Sequence, residues 1–452
     1  IYFALPPVTG RHLTLTLLPL FIKLARGLQK IHGCGVILRD LTRTNVLVTP
    51  EGNPCFIDLE FAHGIDEDSP WIHGWTPGFA SPQQRGDQSP STSDDCYAFG
   101  VLLLDVLTFC ATGMELHKPA IMQRLRRNLA DLDMPAALYP LIDGLINADP
   151  ATRLDLDQAI ASLEQMLQEH AAEPENNRCV IPTGPGACVI RDAQDCSGRL
   201  QQVLEGVDRF LSTSMTASRR DRLWPSSPMI WSTNPVCLAH GASGVALYLQ
   251  QRGQLSADVL AWIRQNTVPA NCPPGFYHGL AGIAYMQSSC ADASAAAHTL
   301  EQAWPARTDC GHSLFFGLAG IGLACLQLHS SGTDGPWLDR AVECARLLQA
   351  QAEQDTDGVF WRQADQINLG LAEGQAGVAL FLLYLHLATG DHAWLAYGKR
   401  ALDFDLSRRI DSHGHLLWHL HDGASPSEPK TPHLWAGTAG IGSVVARYHY
   451  IC

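Results

Sequence analysis

A short glycine motif recurs five times in the second half of the chain and restricts what that half can fold into. Each copy has two glycines three positions apart, and most copies are followed by an apolar stretch at helical spacing, such as 378–385. The five copies are Gly241-Ala-Ser-Gly244, Gly279-Leu-Ala-Gly282, Gly317-Leu-Ala-Gly320, Gly374-Gln-Ala-Gly377 and Gly437-Thr-Ala-Gly440.

Small residues at the start of a helix allow neighbouring helices to crowd together, and glycine also adopts turn conformations closed to other residues. Second helices, for example 337–350 and 392–406, lie between the copies. The repeat therefore predicts a ring of helical hairpins, an α/α toroid, with an open α-solenoid as the alternative architecture.

Length and charge narrow the class of protein further. The chain has 452 residues, and 31 Lys+Arg against 45 Asp+Glu give a net charge of −14. A chain of this length is expected to form two or three domains. The 46% hydrophobic fraction argues against disorder, and the acidic balance argues against a nucleic-acid-binding protein. No apolar run is long enough to cross a membrane.

Cysteine spacing excludes two common metal and redox motifs. Fourteen cysteines are present and none forms a C-x-x-C pair, which argues against a zinc ribbon and a thioredoxin-like site. No signal peptide opens the chain, so we predict reduced, mostly buried thiols and a cytoplasmic localisation.

The first half has a different texture. Its pattern predicts an amphipathic helix at 17–31 and three short strands at 36–38, 46–48 and 55–57. A mostly helical stretch follows at 94–166, in which the apolar segment 101–107 is expected to be buried. A segment rich in Pro, Gly and polar residues follows. We therefore predict a first domain at 1–170, a linker at 171–194 and a repeat domain at 195–452.

Three residues of the first domain carry the pattern of phosphoryl transfer. Asp40 is followed five positions later by Asn45, and Asp58 follows a predicted strand, as in the catalytic and metal-binding segments of protein kinases. Asp40 would orient a hydroxyl nucleophile, and Asn45 and Asp58 would hold the Mg²⁺ that accompanies ATP. Taken singly, each could be an ordinary turn or strand-end residue.

Further motifs appear in kinase order, with departures. Segments 76–83, 95–100 and 149–153 match the end of the activation segment, the helix whose Asp anchors the catalytic loop, and a closing D-P-x-x-R element. Leu38 replaces the usual His, Thr42 replaces Lys, and Asp58-Leu-Glu replaces D-F-G. Gln83 stands where a Glu pairs with the Arg matched by Arg153, so we expect that ion pair to be lost.

Together these motifs resemble the C-terminal part of a bacterial class III (kinase–cyclase) lanthionine synthetase. The repeat half contributes Asp221-Arg-Leu-Trp-Pro225, Leu238-Ala-His240-Gly, Tyr277-His278-Gly, Gly370-Leu-Ala-Glu-Gly374 and Leu434-Trp-Ala-Gly437. The resemblance implies a mainly α chain, with a kinase-like C-lobe (α+β) followed by a LanC-like α/α toroid. Because the chain starts at Ile1, we expect a fragment without the nucleotide-binding lobe, unable to phosphorylate alone, whose cyclase part stops before its last repeats.

The resemblance also implies a chemistry and a partner. In this family the kinase phosphorylates Ser or Thr of a ribosomally made, Ser/Thr/Cys-containing precursor peptide, a lyase removes the phosphate, and the cyclase adds a Cys thiol to the dehydrated residue. The sequence leaves open the identity of the peptide, the choice of ATP or GTP, the oligomeric state, and whether the rings are lanthionine or carbon-linked.

Zinc-type cyclases of the family carry a Cys where this chain has Trp435, and a His where it has Glu373. We therefore predict no zinc. Glu373 is a candidate base, and His240 and His278 are candidate residues of the toroid's inner end; a helix-entry charge and capping histidines are the alternatives. Cys310-Gly311-His312 is interpreted as structural.

Two other functions compete with the enzymatic one. In the first, both halves form a non-catalytic, peptide-binding scaffold made of a pseudokinase and a LanC-like domain. In the second, the toroid is a carbohydrase, which would require two carboxylates flanking a cleft. No such pair appears in the repeats, so the carbohydrase is the weaker hypothesis.

Overall fold

The computed structural model describes residues 10–65, 70–108, 122–123, 126, 129, 134–170, 193–226, 230, 233–412, 414–426 and 428–452. The chain divides into two compact units, residues 1–215 with 227–231, and residues 216–226 with 232–452. The predicted linker at 171–194 lies outside the described residues up to position 192, so the domain boundaries stay a prediction.

The first unit is helical with two small antiparallel sheets. Its helices are α1 (Gly10–Gly33), α2 (Pro82–Arg85), α3 (Thr92–Thr108), α4 (Leu138–Leu145), α5 (Leu156–His170) and α6 (Ala193–Ser214). Its strands are β1 (Val36–Ile37), β2 (Val46–Val48), β3 (Pro54–Phe56) and β4 (His63–Gly64). Strand β1 pairs with β4, placing Val36 opposite Gly64, and β2 pairs with β3, placing Val46 opposite Phe56.

Helix α3 forms the centre of this unit's core. Phe99, Leu103 and Leu107 have no exposed surface, and they belong to one apolar cluster with residues of α1, α4 and α5. The predicted burial of 101–107 is confirmed, because apolar side chains cover most of the helix circumference. The same cluster fixes α3 against α1, where Phe21 meets Phe99 edge-on at 6.4 Å between ring centroids.

The second unit is built from helical hairpins. Its helices are α7 (Ala242–Gln251), α8 (Ala257–Asn266), α9 (Leu280–Ser289), α10 (Ala293–Ala303), α11 (Leu318–Ser330), α12 (Trp337–Gln351), α13 (Gln375–Thr389), α14 (His392–Ser407) and α15 (Thr438–Ile451). Two short hairpins, β5 (Glu353–Gln354) with β6 (Val359–Phe360) and β7 (Ile410–Ser412) with β8 (His415–Leu417), lie between them. The predicted second helices at 337–350 and 392–406 are confirmed to within one residue.

Each glycine motif starts one inner helix of the toroid. Helices α7, α9, α11, α13 and α15 follow the five motifs and pack against one another in chain order, each of the first four also packing on the helix that follows it. Inner helices α11 and α13 are nearly all buried, whereas α12 buries one face. A LanC-like α/α toroid is therefore the fold of this unit.

The glycines are required for space rather than for unusual backbone angles. The five that begin the motifs have φ between −100° and −126°, which other residues also adopt, so the predicted conformational reason is wrong for them. The second glycine of each motif lies against the carbonyl oxygen six residues earlier. A Cβ at Gly282 would lie 1.8 Å from Phe276 O, and one at Gly440 would lie 2.1 Å from Leu434 O.

Main-chain hydrogen bonds join the loops that precede successive inner helices. In each of the first four loops, the residue two positions before the first glycine donates its N–H to the equivalent carbonyl of the next repeat. The bonds run from Ala239 to Tyr277 at 3.1 Å, from Tyr277 to Phe315 at 2.6 Å, from Phe315 to Ala372 at 3.0 Å and from Ala372 to Trp435 at 2.8 Å. We call these five loops the rim; their bonds hold equivalent residues of all five repeats at one end of the unit.

Two findings concern cysteines and membranes. The ten cysteines whose environment is described are free, and four of them, Cys96, Cys237, Cys325 and Cys344, are buried, so the prediction of mostly buried thiols fails for these ten. Within the described part of the chain, no helix combines the length and the apolar character that crossing a membrane requires.

Glycine packing makes a prediction within one helix. Gly440→Ala should lower the free energy of unfolding by about 2 kcal/mol or more, because the added Cβ meets main chain that cannot move aside. Gly442→Ala, two residues along α15 and with open space at its Cβ position, should be neutral or stabilise by about 0.5–1 kcal/mol. Thermal and urea unfolding of the two variants checks this; equal stability of both would contradict it.

Candidate active sites

The catalytic loop of the first unit brings Asp40 and Asn45 together. Asn45 Nδ2 donates to Asp40 Oδ2 at 2.8 Å and to the Asp40 main-chain oxygen at 3.0 Å. Both side chains are half-buried. The loop is a tight turn in which Arg39 has a φ of +66°, and the five-residue spacing folds the amide back onto the carboxylate. The predicted juxtaposition of these two residues is therefore present.

Asp95, at the start of α3, anchors this loop from the core. Its carboxylate accepts the main-chain N–H groups of Leu38 and Arg39, each at 2.8 Å, and lies 2.8 Å from His32 Nε2. Asp95 is fully buried. A buried carboxylate is stable when its oxygens are hydrogen-bonded, so these contacts hold the loop in one conformation. The anchoring role inferred from segment 95–100 is confirmed.

Thr76 completes the surroundings of Asp40 and was not singled out from the sequence. Its hydroxyl donates to Asp40 Oδ1 at 2.7 Å across 36 residues of chain. One carboxylate oxygen thus faces Thr76 and the other faces Asn45, which fixes the plane of the Asp40 carboxylate. The sequence signal was the Thr-Pro-Gly segment at 76–78, recognised as a motif but not as a contact.

Asp58 lies beside this pair on the loop after β3. Ile57 N–H donates to the Asn45 main-chain oxygen at 3.0 Å, which keeps the two segments adjacent. Asp58 has a φ of +59° and an exposed side chain. Amide and carboxylate oxygens are the ligands that Mg²⁺ prefers, so the donor chemistry of Asn45 and Asp58 fits that ion.

Arg153 and Gln83 stay in contact although the expected ion pair is lost. Arg153 Nη2 donates to Gln83 Oε1 at 2.7 Å, Nη1 donates to Ser93 O at 2.8 Å, and Nε donates to Asn147 O at 2.9 Å. The guanidinium is largely buried, and burial lowers its pKa. The neutral amide therefore keeps the geometry of the pair while removing its charge.

Aromatic side chains and histidines line the rim of the second unit. Tyr277 stacks on Phe315 at 4.3 Å between ring centroids, and Trp435 meets Phe315 edge-on at 5.0 Å. His240 and His278, in neighbouring loops, lie 5.5 Å apart by ring centroids. The rim thus gathers two of the predicted site residues into one cluster with three aromatic rings, because its loops are hydrogen-bonded in register.

Glu373 joins the same cluster through Trp435. Trp435 Nε1 donates to Glu373 Oε1 at 3.2 Å, and Asn368 Nδ2 donates to Glu373 Oε2 at 3.4 Å. The carboxylate is half-buried and fixed on both oxygens. Neither Trp435 as a donor to Glu373 nor Asn368 was foreseen, since 62 residues separate the first pair. The structure brings His240, His278 and Glu373 to one rim; their catalytic roles stay predictions, as does the absence of zinc.

The two rim histidines are held neutral near pH 7. Burial lowers the pKa of His240, and burial together with the neighbouring His240 lowers the pKa of His278. Nε2 of His278 is buried without a hydrogen-bond partner among the described residues. A neutral imidazole nitrogen of this kind is able to accept a proton.

His312, in the loop before α11, plays a different part. It is 3% exposed, its Nε2 lies 3.0 Å from the Glu373 main-chain oxygen, and its ring stacks on Trp361. Burial lowers its pKa to about 4. These contacts are those of a packed, structural histidine.

Comparison with known proteins assigns a domain family to parts of both units. Residues 17–163 match the protein kinase domain, and residues 299–449 match the lanthionine synthetase C-like proteins. The Asp40 cluster lies within the first match, and Glu373 and Trp435 lie within the second.

Individual relatives agree with these matches. The chain is 28% identical over 446 residues to the probable SapB synthase of Streptomyces coelicolor, covering 94% of this chain and 46% of that protein. It is 33% identical over 138 residues to the serine/threonine-protein kinase AfsK of Streptomyces griseus, covering 28% of this chain and 16% of the kinase. The chain therefore spans about half the length of the probable SapB synthase, although nearly all of the chain aligns with it.

The rim histidines make a prediction about titration. The pKa values of His240 and His278 should both lie below 6.5, the ordinary histidine value, because burial in the cluster deprives the charged imidazolium of hydration. NMR of the imidazole C–H signals, assigned with His240→Gln and His278→Gln variants, measures both midpoints. The His240→Gln change should also raise the midpoint of His278, since it removes a neighbouring charge; a midpoint at or above 6.5 for either residue contradicts the account.

Proposed function

We propose that the protein is a kinase–cyclase lanthionine synthetase and that it builds thioether rings into a ribosomally made precursor peptide; the two domain matches and the likeness to the probable SapB synthase support this. Ser or Thr would be phosphorylated at the first unit, and Cys thiols would be added to the dehydrated residues at the second. The observation that carries the proposal is that one chain holds both the Asp40–Asn45 loop and the rim cluster of His240, His278 and Glu373.

In the kinase step, Asp40 would orient the peptide hydroxyl. Its carboxylate plane is fixed by Asn45 and Thr76, so a substrate hydroxyl would meet it in one direction. Asn45 and Asp58 would hold Mg²⁺ with ATP, and the ion when bound supplies positive charge that offsets the charge on the transferred group. In the elimination that follows, phosphate leaves from the side chain, because hydroxide is a poor leaving group. The elimination itself is not assigned to residues of this chain.

In the cyclisation step, the rim would handle two protons. The thiol S–H bond breaks, an S–Cβ bond forms to the dehydrated residue, and the electron pair of the double bond moves to Cα, which then takes a proton. His278 and His240, being neutral, are the candidate acceptors of the thiol proton, and Glu373 is the candidate acid or base at the opposite part of the cluster. Tyr277, Phe315 and Trp435 supply the apolar part of this region.

The remaining parts of the proposal follow the same resemblance. The cofactors are ATP and Mg²⁺, zinc is not used, and the peptide is modified in the cytoplasm. A non-catalytic scaffold that only holds the peptide is the alternative, and the two experiments below separate it from the enzyme.

The kinase site is tested in a polypeptide in which this chain follows a nucleotide-binding lobe. With ATP, Mg²⁺ and a Ser-rich precursor peptide, Asp40→Asn should slow phosphorylation by on the order of 10²-fold or more, because the hydroxyl loses its oriented acceptor. Asp157→Asn, an exposed carboxylate of α5, is the matched control and should leave the rate unchanged. Mass spectrometry of the peptide reads the result; no phosphorylation by the parent, or equal rates for both variants, favours the scaffold.

The rim is tested with a synthetic peptide that carries one dehydroalanine and one Cys. Glu373→Gln should slow enzyme-dependent thioether formation by on the order of 10²-fold at unchanged stability, since the amide keeps the shape but not the charge. Glu353→Gln, an exposed residue of β5, is the control. The rate is measured as the loss of free thiol, monitored by alkylation and mass spectrometry. An unchanged rate in the Glu373→Gln variant removes this residue from the mechanism.

A further inference from the structure

Asp405, near the end of α14, is a fully buried carboxylate that faces the loop carrying Glu373. Its Oδ2 accepts the main-chain N–H of Gly370 at 3.0 Å and that of Ala376 at 2.8 Å. Its main-chain oxygen accepts Trp418 Nε1 at 2.7 Å. One side-chain oxygen thus ties together both ends of a segment, residues 370–376, with Glu373 at its middle.

Asp405 provides the N-terminal cap that the glycine motif cannot give to helix α13. Helix α13 begins after Gly374, and glycine has no side chain with which to cap the free N–H groups of the first turn. Asp405 supplies the missing acceptor from the neighbouring helix, and a carboxylate there is favoured by the helix dipole. The same oxygen also reaches Gly370 on the far side of the segment, so it acts as a clamp as well as a cap.

The clamped segment has little freedom to move. Gly370 has a φ of +97°, and a Cβ there would lie 2.4 Å from Ala436 Cα. Ala372 N–H donates to the Trp435 main-chain oxygen, and Trp435 Nε1 returns a bond to Glu373. The position of the Glu373 carboxylate against Trp435 therefore depends on where this segment lies.

We propose that Asp405 is the positioning residue of the cyclase rim, acting on the reaction through the 370–376 segment and the direction of Glu373. The inference rests on the proposed function, since it assigns Asp405 a part in cyclisation. Burial supports a role beyond packing: it raises the pKa of Asp405 to about 7, and Oδ1 has no hydrogen-bond partner among the described residues. Such a group is costly for the fold to keep unless its contacts are needed.

The test compares three variants of the full chain. Asp405→Ala removes both hydrogen bonds, Asp405→Asn keeps an acceptor oxygen of the same shape, and Phe404→Leu perturbs the adjacent buried position, which packs on Phe360. Hydrogen exchange measured by mass spectrometry reports on residues 370–376. Thioether formation on the dehydroalanine–Cys peptide gives kcat and KM.

Asp405→Ala should speed exchange at 370–376 and lower kcat on the order of 10- to 100-fold with a smaller change in KM, because the substitution displaces Glu373 and leaves the other rim side chains in place. Asp405→Asn should keep both the exchange rate and kcat near those of the parent chain, and Phe404→Leu should lower the melting temperature without lowering kcat of the folded protein.

Faster exchange in Asp405→Ala with unchanged kcat would reduce Asp405 to a structural cap and overturn the inference. Unchanged exchange in Asp405→Ala would overturn it as well. If the parent chain forms no thioether, the proposed function fails, and with it the part in cyclisation; the exchange data then decide separately whether Asp405 holds the segment.

Discussion

The close approach of main chain to main chain at the glycine motifs is the constraint on which the toroid depends. A side chain at the second glycine of any motif would meet a carbonyl oxygen at 1.8 to 2.3 Å. The same glycines also contact side chains of the preceding repeat. Leu238 lies against Gly282, Phe276 against Gly320, Leu314 against Gly377 and Leu371 against Gly440. Because every repeat is entered through the same tight loop, the loops come into register and their N–H groups bond to one another in sequence.

Both units hold their candidate chemical residue by the same physical means. In the first, the buried carboxylate of Asp95 accepts two main-chain N–H bonds from the loop that leads to Asp40. In the second, the buried carboxylate of Asp405 accepts two from the segment that contains Glu373. A buried carboxyl oxygen in a low-dielectric core makes strong bonds to N–H groups, and it leaves the segment few other conformations. The carboxylates of Asp40 and Glu373 themselves are only half-buried.

Much of this was predictable because it follows from local pattern. The helices, the short strands, the five repeats and the pairing of Asp40 with Asn45 are set by spacing along the chain. Contacts between distant segments were not predictable, among them Thr76 with Asp40, Trp435 with Glu373 and Asp405 with Gly370. Each depends on how helices pack, and no periodicity encodes it. Close packing at the motif glycines was predicted correctly, but the conformational reason was wrong, and crowding by a carbonyl six residues away cannot be seen in a sequence.

The order of events on one peptide residue tests the central claim most directly. Time-resolved tandem mass spectrometry would follow each Ser of a precursor peptide incubated with ATP, Mg²⁺ and this chain joined to a nucleotide-binding lobe and a lyase. The account predicts that a phosphorylated form of a given Ser appears first, declines, and is replaced by a thioether at that same position. A thioether that forms without a preceding phosphorylated Ser, or a phosphopeptide that accumulates while every Cys thiol stays free, would contradict it.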